Sequence, residues 1–340
     1  MKDKSLMVSS FRSDKERKSY ILALIILSLL SVLIIYGLLV YNNPVAIDSP
    51  SFLPVVKRRK NAIIAMAIAA ICQAVGSILF QSVTNNKIIT PSILGFEAIY
   101  STVNTAIMYI LGIGGFMAIG GKEFFIFQII LMVGICLLLF IGIFNKRDGN
   151  IELMLLIGVI LGQGLRSISA FMRRLLSPSE FDILQAKLFA SVNNSDPEYF
   201  TLSIAIIFVV IAAIFLNTNK INVISLGKDV ATNLGLNHKK ATFLSLIAVA
   251  ILISISTALV GPMTFYGFLI ATLTYEIAKT YDHKYIFIMA ILLAFVILSG
   301  SYFIMNHIFN ANGVVSVLIE LIGGIAFLIL IFKEEKLWLA

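Results

Sequence analysis

The stretch Asn222-Val223-Ile224-Ser225-Leu226-Gly227-Lys228-Asp229-Val230-Ala231-Thr232-Asn233-Leu234-Gly235-Leu236-Asn237-His238-Lys239-Lys240 interrupts a chain made almost entirely of long apolar runs. One run ends before it near residue 216 and another starts after it at residue 241. Each is close to the roughly 20 residues that cross a bilayer's hydrocarbon core. The stretch is therefore a link between spans. Leu226, Val230 and Leu234 recur every four residues, which puts them on one face of a short helix, while Lys228, Asp229 and Asn233 point elsewhere. Gly235 supplies the helix stop. A short amphipathic helix in such a link either lies among lipid headgroups or touches a partner on that side of the membrane.

The rest of the chain repeats the pattern. Of 340 residues, 59% are hydrophobic and 13% charged, against roughly 45–50% and 25% in soluble domains. The expected fold is all-α, a polytopic membrane protein with about ten transmembrane helices, near residues 19–41, 61–83, 92–112, 124–144, 151–172, 198–216, 241–260, 264–280, 285–306 and 314–333. Residues 1–18 form a basic tail, 19–336 a single transmembrane domain, and no soluble domain of useful size is left over. The first apolar run is too long for a cleavable signal and lacks a small-x-small cleavage site.

The net charge of +8 does not point to nucleic acid, because the basic residues sit in short clusters at span ends. With the N-terminus inside, 17 Lys and Arg fall on the cytoplasmic side and eight on the outer side, which supports that orientation and returns the C-terminus to the cytoplasm. Half of the outer total is one run, Lys57-Arg58-Arg59-Lys60. Four positive charges against the orientation rule either reach anionic headgroups or form a docking site for an acidic partner.

Within the second span, Gln73, Ser77 and Gln81 share one helical face. Such groups avoid lipid, so the face serves either interhelical hydrogen bonding or a translocation path. Cys72 and Cys136 fall inside apolar segments and predict no structural disulfide. His238, His283 and His307 have no metal-ligand spacing, and no nucleophile is paired with a base, so neither a metal site nor a catalytic site is expected. Gly120-Gly121-Lys122 resembles the end of a phosphate-binding loop. However, Phe116 stands where the first glycine belongs and Glu123 where Ser or Thr belongs, so any ATP is bound by another chain. Gly158 and Gly162 form a G-x-x-x-G pair that favours close helix packing. Gly261-Pro262 predicts a tight outer turn. Arg166 and Glu320 lie within spans without an assigned partner.

Several motifs, in order, resemble the permease subunits of bacterial ABC importers for iron-siderophores, haem and cobalamin. They are Arg58 or Arg59 followed by Gln73-Ala74-Val75-Gly76-Ser77-Ile78-Leu79-Phe80-Gln81, then Thr90-Pro91-Ser92-Ile93-Leu94-Gly95, Leu226 to Leu236, and Gly261-Pro262-Met263-Thr264-Phe265-Tyr266-Gly267-Phe268. The resemblance implies the type II ABC importer permease architecture in a bacterial cell membrane. It also implies a second permease copy or paralogue, two cytoplasmic ATPase subunits and an extracytoplasmic substrate-binding protein, besides membrane lipid. It makes Leu226, Gly227, Lys228, Asp229, Val230, Leu234 and Gly235, within coupling helices at 222–240, the ATPase contact. It makes Lys57, Arg58, Arg59 and Lys60 the binding-protein contact. No cofactor would be bound directly, since the partner ATPase uses the ATP.

The chain departs from the family at Asn85-Asn86-Lys87-Ile88, Ala271-Thr272, Ser299 to Ser301 and Ala311-Asn312, which leaves the fold clear and blurs the substrate. Iron-siderophore import is the expected function, with haem or cobalamin as alternative cargo. A secondary transporter using Glu320, Glu276 or Glu97 as its ion-coupling group is the rival.

Overall fold

The computed structural model describes residues 10–41, 49–50, 52–146, 151–309 and 315–338. Lys2, Lys4, Arg147 and the Ala311-Asn312 departure lie outside the described residues. Among those residues the chain is helical, with a lone antiparallel bridge between Phe11 and Thr280. The helices are α1 Asp14–Val40, α2 Phe52–Thr84, α3 Phe96–Ala118, α4 Gly121–Lys146, α5 Ile151–Arg174, α6 Pro178–Leu188, α7 Phe200–Leu216, α8 Thr218–Ile224, α9 Lys228–Asn233, α10 His238–Val260, α11 Tyr266–Ala278, α12 His283–His307 and α13 Val315–Trp338. Each of the ten expected spans falls on one of them. Eight are long and apolar enough to cross a membrane, and α11, at 13 residues, is shorter than a full crossing.

α2 is the central helix, packed chiefly on α10 and α12. Its small residues explain why. Between apolar helices in lipid the hydrophobic effect supplies no attraction, so close backbone approach and van der Waals contact must. Ala65, Ala69, Ala70, Ala74 and Gly76 are all buried, and a Cβ on Gly76 would lie 3.0 Å from Ile253 of α10. At 33 residues α2 is about 50 Å long, against about 30 Å of hydrocarbon. Its first turns, from Phe52 to Lys60, therefore project beyond the membrane core, and the basic run is helical rather than part of a loop.

Two breaks distinguish the fold from ten plain spans. Where a helix was expected from residue 92, Pro91–Leu94 forms a 3-10 turn and α3 starts only after Gly95, at φ 93°. Gly95 lies against Gly162 near the middle of α5, where a Cβ would meet the Gly162 Cα at 3.2 Å. The chain thus returns into the bundle before α3 begins. Likewise the expected tight turn at Gly261-Pro262 is a non-helical stretch that carries the chain inward, so that α11 starts beside α2. A Cβ on Gly267 would meet Ser77 Oγ at 2.1 Å, and the Tyr266 hydroxyl donates to the carbonyl of Ala294, midway along α12, at 2.6 Å. Pro262 has no N–H to donate and Gly261 sits at φ 104°, so neither continues a helix.

The link left between the expected spans at residues 113–123 is shorter in the structure. α3 runs into it to Ala118 with one kink at Gly112. Outside the spans, Ser177 caps α6 in a capping box with Glu180, and its backbone N–H and hydroxyl hold the Glu180 carboxyl below its usual pKa range.

Gly261→Ala tests the inward stretch. The added methyl would lie 2.8 Å from the Ala190 Cα, a backbone atom that cannot swing away, at a φ that disfavours L side chains. The expected loss is about 1–3 kcal/mol, read as a lowered thermal unfolding midpoint of the detergent-purified chain. An unchanged midpoint would mean that the stretch is not held as described.

Candidate functional site

At one end of the bundle, the quoted stretch forms two short helices rather than one. Gly227, at φ 94° and ψ 164°, separates α8 from α9, and Gly235, at φ 82°, ends the second. Ala231 turns inward and is fully buried. Leu226 just before α9, Val230 within it and Leu234 at its end are 56%, 46% and 63% exposed, with exposed Lys228, Asp229 and Asn233 around them. Gly227 and Gly235 supply the turns that present this apolar face.

A polar cluster behind α8 holds the unit to the bundle. Asn222 Oδ1 accepts from the His283 backbone N–H at 3.0 Å and lies 2.6 Å from His283 Nδ1, while Asn222 Nδ2 donates to Asp282 at 3.2 Å. The other ring nitrogen of His283 is 2.6 Å from Ser82 Oγ on α2. The Ser10 hydroxyl donates to Asp282 at 3.1 Å, and Thr280 donates to the Ser10 carbonyl. Five separated segments meet here: the tail, α2, α8, the link after α11, and α12. On its other side α8 borders a cavity of about 400 Å³ shared with α7 and α10. The α8–α9 unit is thus latched on one side and has room on the other.

Asn222→Ala removes the hub of that latch. A buried network that loses one partner typically costs about 1–3 kcal/mol. Amide hydrogen exchange over residues 218–227 should accelerate while exchange in α2 stays slow, and unchanged protection would show that α8 is held by apolar packing alone.

At the opposite end, the four basic residues have two fates. Lys57, Arg58 and Lys60 are exposed at the projecting end of α2. Arg59 turns to α1, where its Nη1 donates to the carbonyls of Leu38, Leu39 and Tyr41 at 3.1, 3.3 and 2.9 Å. It satisfies carbonyls that the end of a helix leaves open.

In the centre, Gln73, Ser77 and Gln81 share one face as expected, and all three are at most 2% exposed. Gln73 donates to Ser256 of α10 at 3.3 Å, Ser77 faces Gly267, and Gln81 donates to the Lys87 carbonyl at 2.6 Å. Gln73 alone makes an interhelical hydrogen bond, while Ser77 Oγ and Gln81 Oε1 are buried without a hydrogen-bond partner among the described residues, and a place on the path would require α2 to part from α10 and α11. The face that does reach the surface belongs to α5. Met154, Gly158, Gly162 and Ser169 are buried against the bundle, while Gln163, Arg166 and Ser167 are exposed. Polar groups on a membrane helix seldom face lipid, so this surface calls for a partner or water.

The sequence assigns no role to Asn222, Asp282, His283 or Ser82. Asn222 stood in the quoted stretch as a polar residue just before its apolar face, but its partners lie 60 or more residues away. Among the described residues no group of three or more His, Cys, Asp or Glu could hold a metal ion.

The described residues thus form a multi-pass helical bundle with broken spans and an exposed short-helix pair at one end. The chain belongs to the FecCD transport family, which it matches over residues 20–333. It is 53% identical to the petrobactin import system permease protein FatC of Bacillus anthracis over 98% of this chain and 95% of that one. It is 36% identical to the petrobactin import system permease protein YclO of Bacillus subtilis, over 83% and 89% of the two chains. Its fold is that of a solved inward-facing metal-chelate type ABC transporter, with a TM-score of 0.79, 18% identity, and 91% and 98% of the two chains covered.

Proposed function

We propose that this chain is the membrane permease of an ATP-driven importer of ferric siderophores, with a petrobactin-type chelate as its cargo. The observation that carries the reading is the near full-length 53% identity to a petrobactin permease. In this reading the apolar face of Leu226, Val230 and Leu234 seats in a groove of a cytoplasmic ATPase, so the α9 end lies inside the cell together with both termini. Lys57, Arg58 and Lys60 then face outward and meet acidic residues of a binding protein. The exposed polar face of α5 meets a second permease, identical or paralogous, and two ATPase subunits complete the assembly. The chain does no covalent chemistry.

Mechanically, ATP closes the ATPase pair and moves each seated α9. The Asn222–His283–Ser82 latch passes the displacement to the lower ends of α12 and α2, and the broken helices α3 and α11 rearrange around them. Deletion of the gene tests the reading. Cells should lose uptake of iron-55 supplied as ferric petrobactin and regain it from a plasmid copy, whereas undiminished uptake in a strain without redundant importers would contradict it.

A further inference from the structure

Glu97 is the second residue of α3, at the first of the two breaks. It is only 8% exposed, and it is not satisfied. Thr264, in the inward stretch before α11, donates to Oε2 at 2.7 Å, and the Ser92 side chain lies beside the carboxylate. Oε1 is buried without a hydrogen-bond partner among the described residues.

Two further helices converge on the same point. Gly162 of α5 packs on Gly95, two residues before Glu97, and Arg166 stands one turn further along α5. Gly323 of α13 packs on Phe265, next to Thr264, where a Cβ would come within 2.8 Å, and Glu320 stands one turn before it. Arg166 and Glu320 thus lie on the two helices that flank the Glu97 end of α3. Arg166 is exposed and Glu320 half-buried.

The buried Glu97 carboxylate has an oxygen to spare. A buried carboxylate left half-satisfied is costly, and a cationic N–H donor removes that cost by supplying both charge and hydrogen bond. A chelate passing between two permease copies meets no other buried carboxylate with an open oxygen among the described residues.

We propose that Glu97, braced by Thr264 where α3, α5, α11 and α13 meet, is a cation-selective station on the cargo's route that takes a cationic N–H donor of the cargo. The inference rests on the importer reading and adds a charge preference to it. Ionisable side chains inside a membrane ordinarily mark a pathway, and here the broken helices put one beside a surface of polar residues. Glu320 strengthens the local negative field, and Arg166 keeps the cluster from holding the cation too tightly to release.

The test uses the assembled transporter in lipid nanodiscs, with Cys72 and Cys136 replaced by alanine and Thr264→Cys as a reporter thiol. Its labelling by cationic 2-aminoethyl methanethiosulfonate is compared with labelling by the anionic 2-sulfonatoethyl reagent, each normalised to a free thiol, with and without a nucleotide analogue. The cation-to-anion ratio should be at least tenfold and should fall toward unity when Glu97→Gln is added. No labelling in any nucleotide state, or a ratio indifferent to Glu97→Gln, would overturn the proposal.

A second measurement needs no cysteine. Glu97→Gln in the native chain should lower iron-55 uptake at least tenfold with the unfolding midpoint unchanged. Glutamine copies the shape and hydrogen bonding of a protonated acid, so undiminished uptake would show that Glu97 is only a neutral structural group. Uptake by the unaltered chain in the same preparation separates failure of this inference from failure of the importer reading.

Discussion

Leu234→Asp is expected to cut uptake by roughly 10- to 100-fold while leaving the membrane domain folded. Leu234 is 63% exposed in the isolated chain, so the fold has little to lose. If the residue is buried in an ATPase groove, the substitution forfeits about 1.5–3 kcal/mol of apolar burial and adds the cost of an unpaired carboxylate. Each 1.4 kcal/mol is about tenfold in affinity. The readouts are the amount of ATPase that co-purifies and the stimulation of ATP hydrolysis by loaded binding protein. Val230→Asp should behave in the same way. Normal coupling in Leu234→Asp would return the apolar face to the lipid headgroups.

The second large effect belongs to the other end. Reversing Lys57, Arg58 and Lys60 to glutamate changes three exposed positive charges into three negative ones, and uptake should fall at least tenfold at low ionic strength. The cause is electrostatic: like charges slow the encounter with an acidic partner and misalign it. Raising salt shortens the Debye length to about 8 Å near physiological strength, so the defect should shrink in salt while the unaltered transporter slows. Arg59 is left in place because it holds the end of α1. Arg59→Glu should lower the unfolding midpoint, which the triple reversal should not do. Uptake by the triple variant that matches the unaltered chain at every salt concentration would remove the docking role.

What the sequence disclosed and what it hid follow from range. Apolar runs of about 20 residues are local, so each of the ten expected spans falls on a helix, eight of them long and apolar enough to cross a membrane, and the four-residue spacing of Leu226, Val230 and Leu234 foretold an exposed face. Gly227 and Gly235 were visible as glycines, but the division into α8 and α9 depends on a backbone angle that hydropathy does not carry. The breaks before α3 and α11 were legible in part. Gly261-Pro262 marked the second break but not the inward course of the chain, residues 92–95 read as span, and packing on Ala190 and Gly162 shows that both stretches enter the bundle unwound.

The polar contacts were harder still. Thr264 and Glu97 are 167 positions apart, and His283 and Ser82 are 201 apart. Nothing in either neighbourhood names the partner. Gln73 and Ser77 show the reverse case. Their common face was legible, yet whether it met helices or a path depended on α10 and α11, which bury it completely in this chain.

The energy source separates an ATP-driven importer from an ion-coupled carrier, and one reconstitution addresses it. Proteoliposomes carrying this permease, its second copy or paralogue and the ATPase pair, with iron-loaded binding protein on the outer face, are assayed for iron-55 uptake with ATP, with a non-hydrolysable analogue, and with a proton and sodium ionophore. Uptake that requires hydrolysable ATP inside and is indifferent to the ionophore is the predicted result. Uptake that persists without ATP and collapses with the ionophore would contradict it and make the chain an ion-coupled carrier.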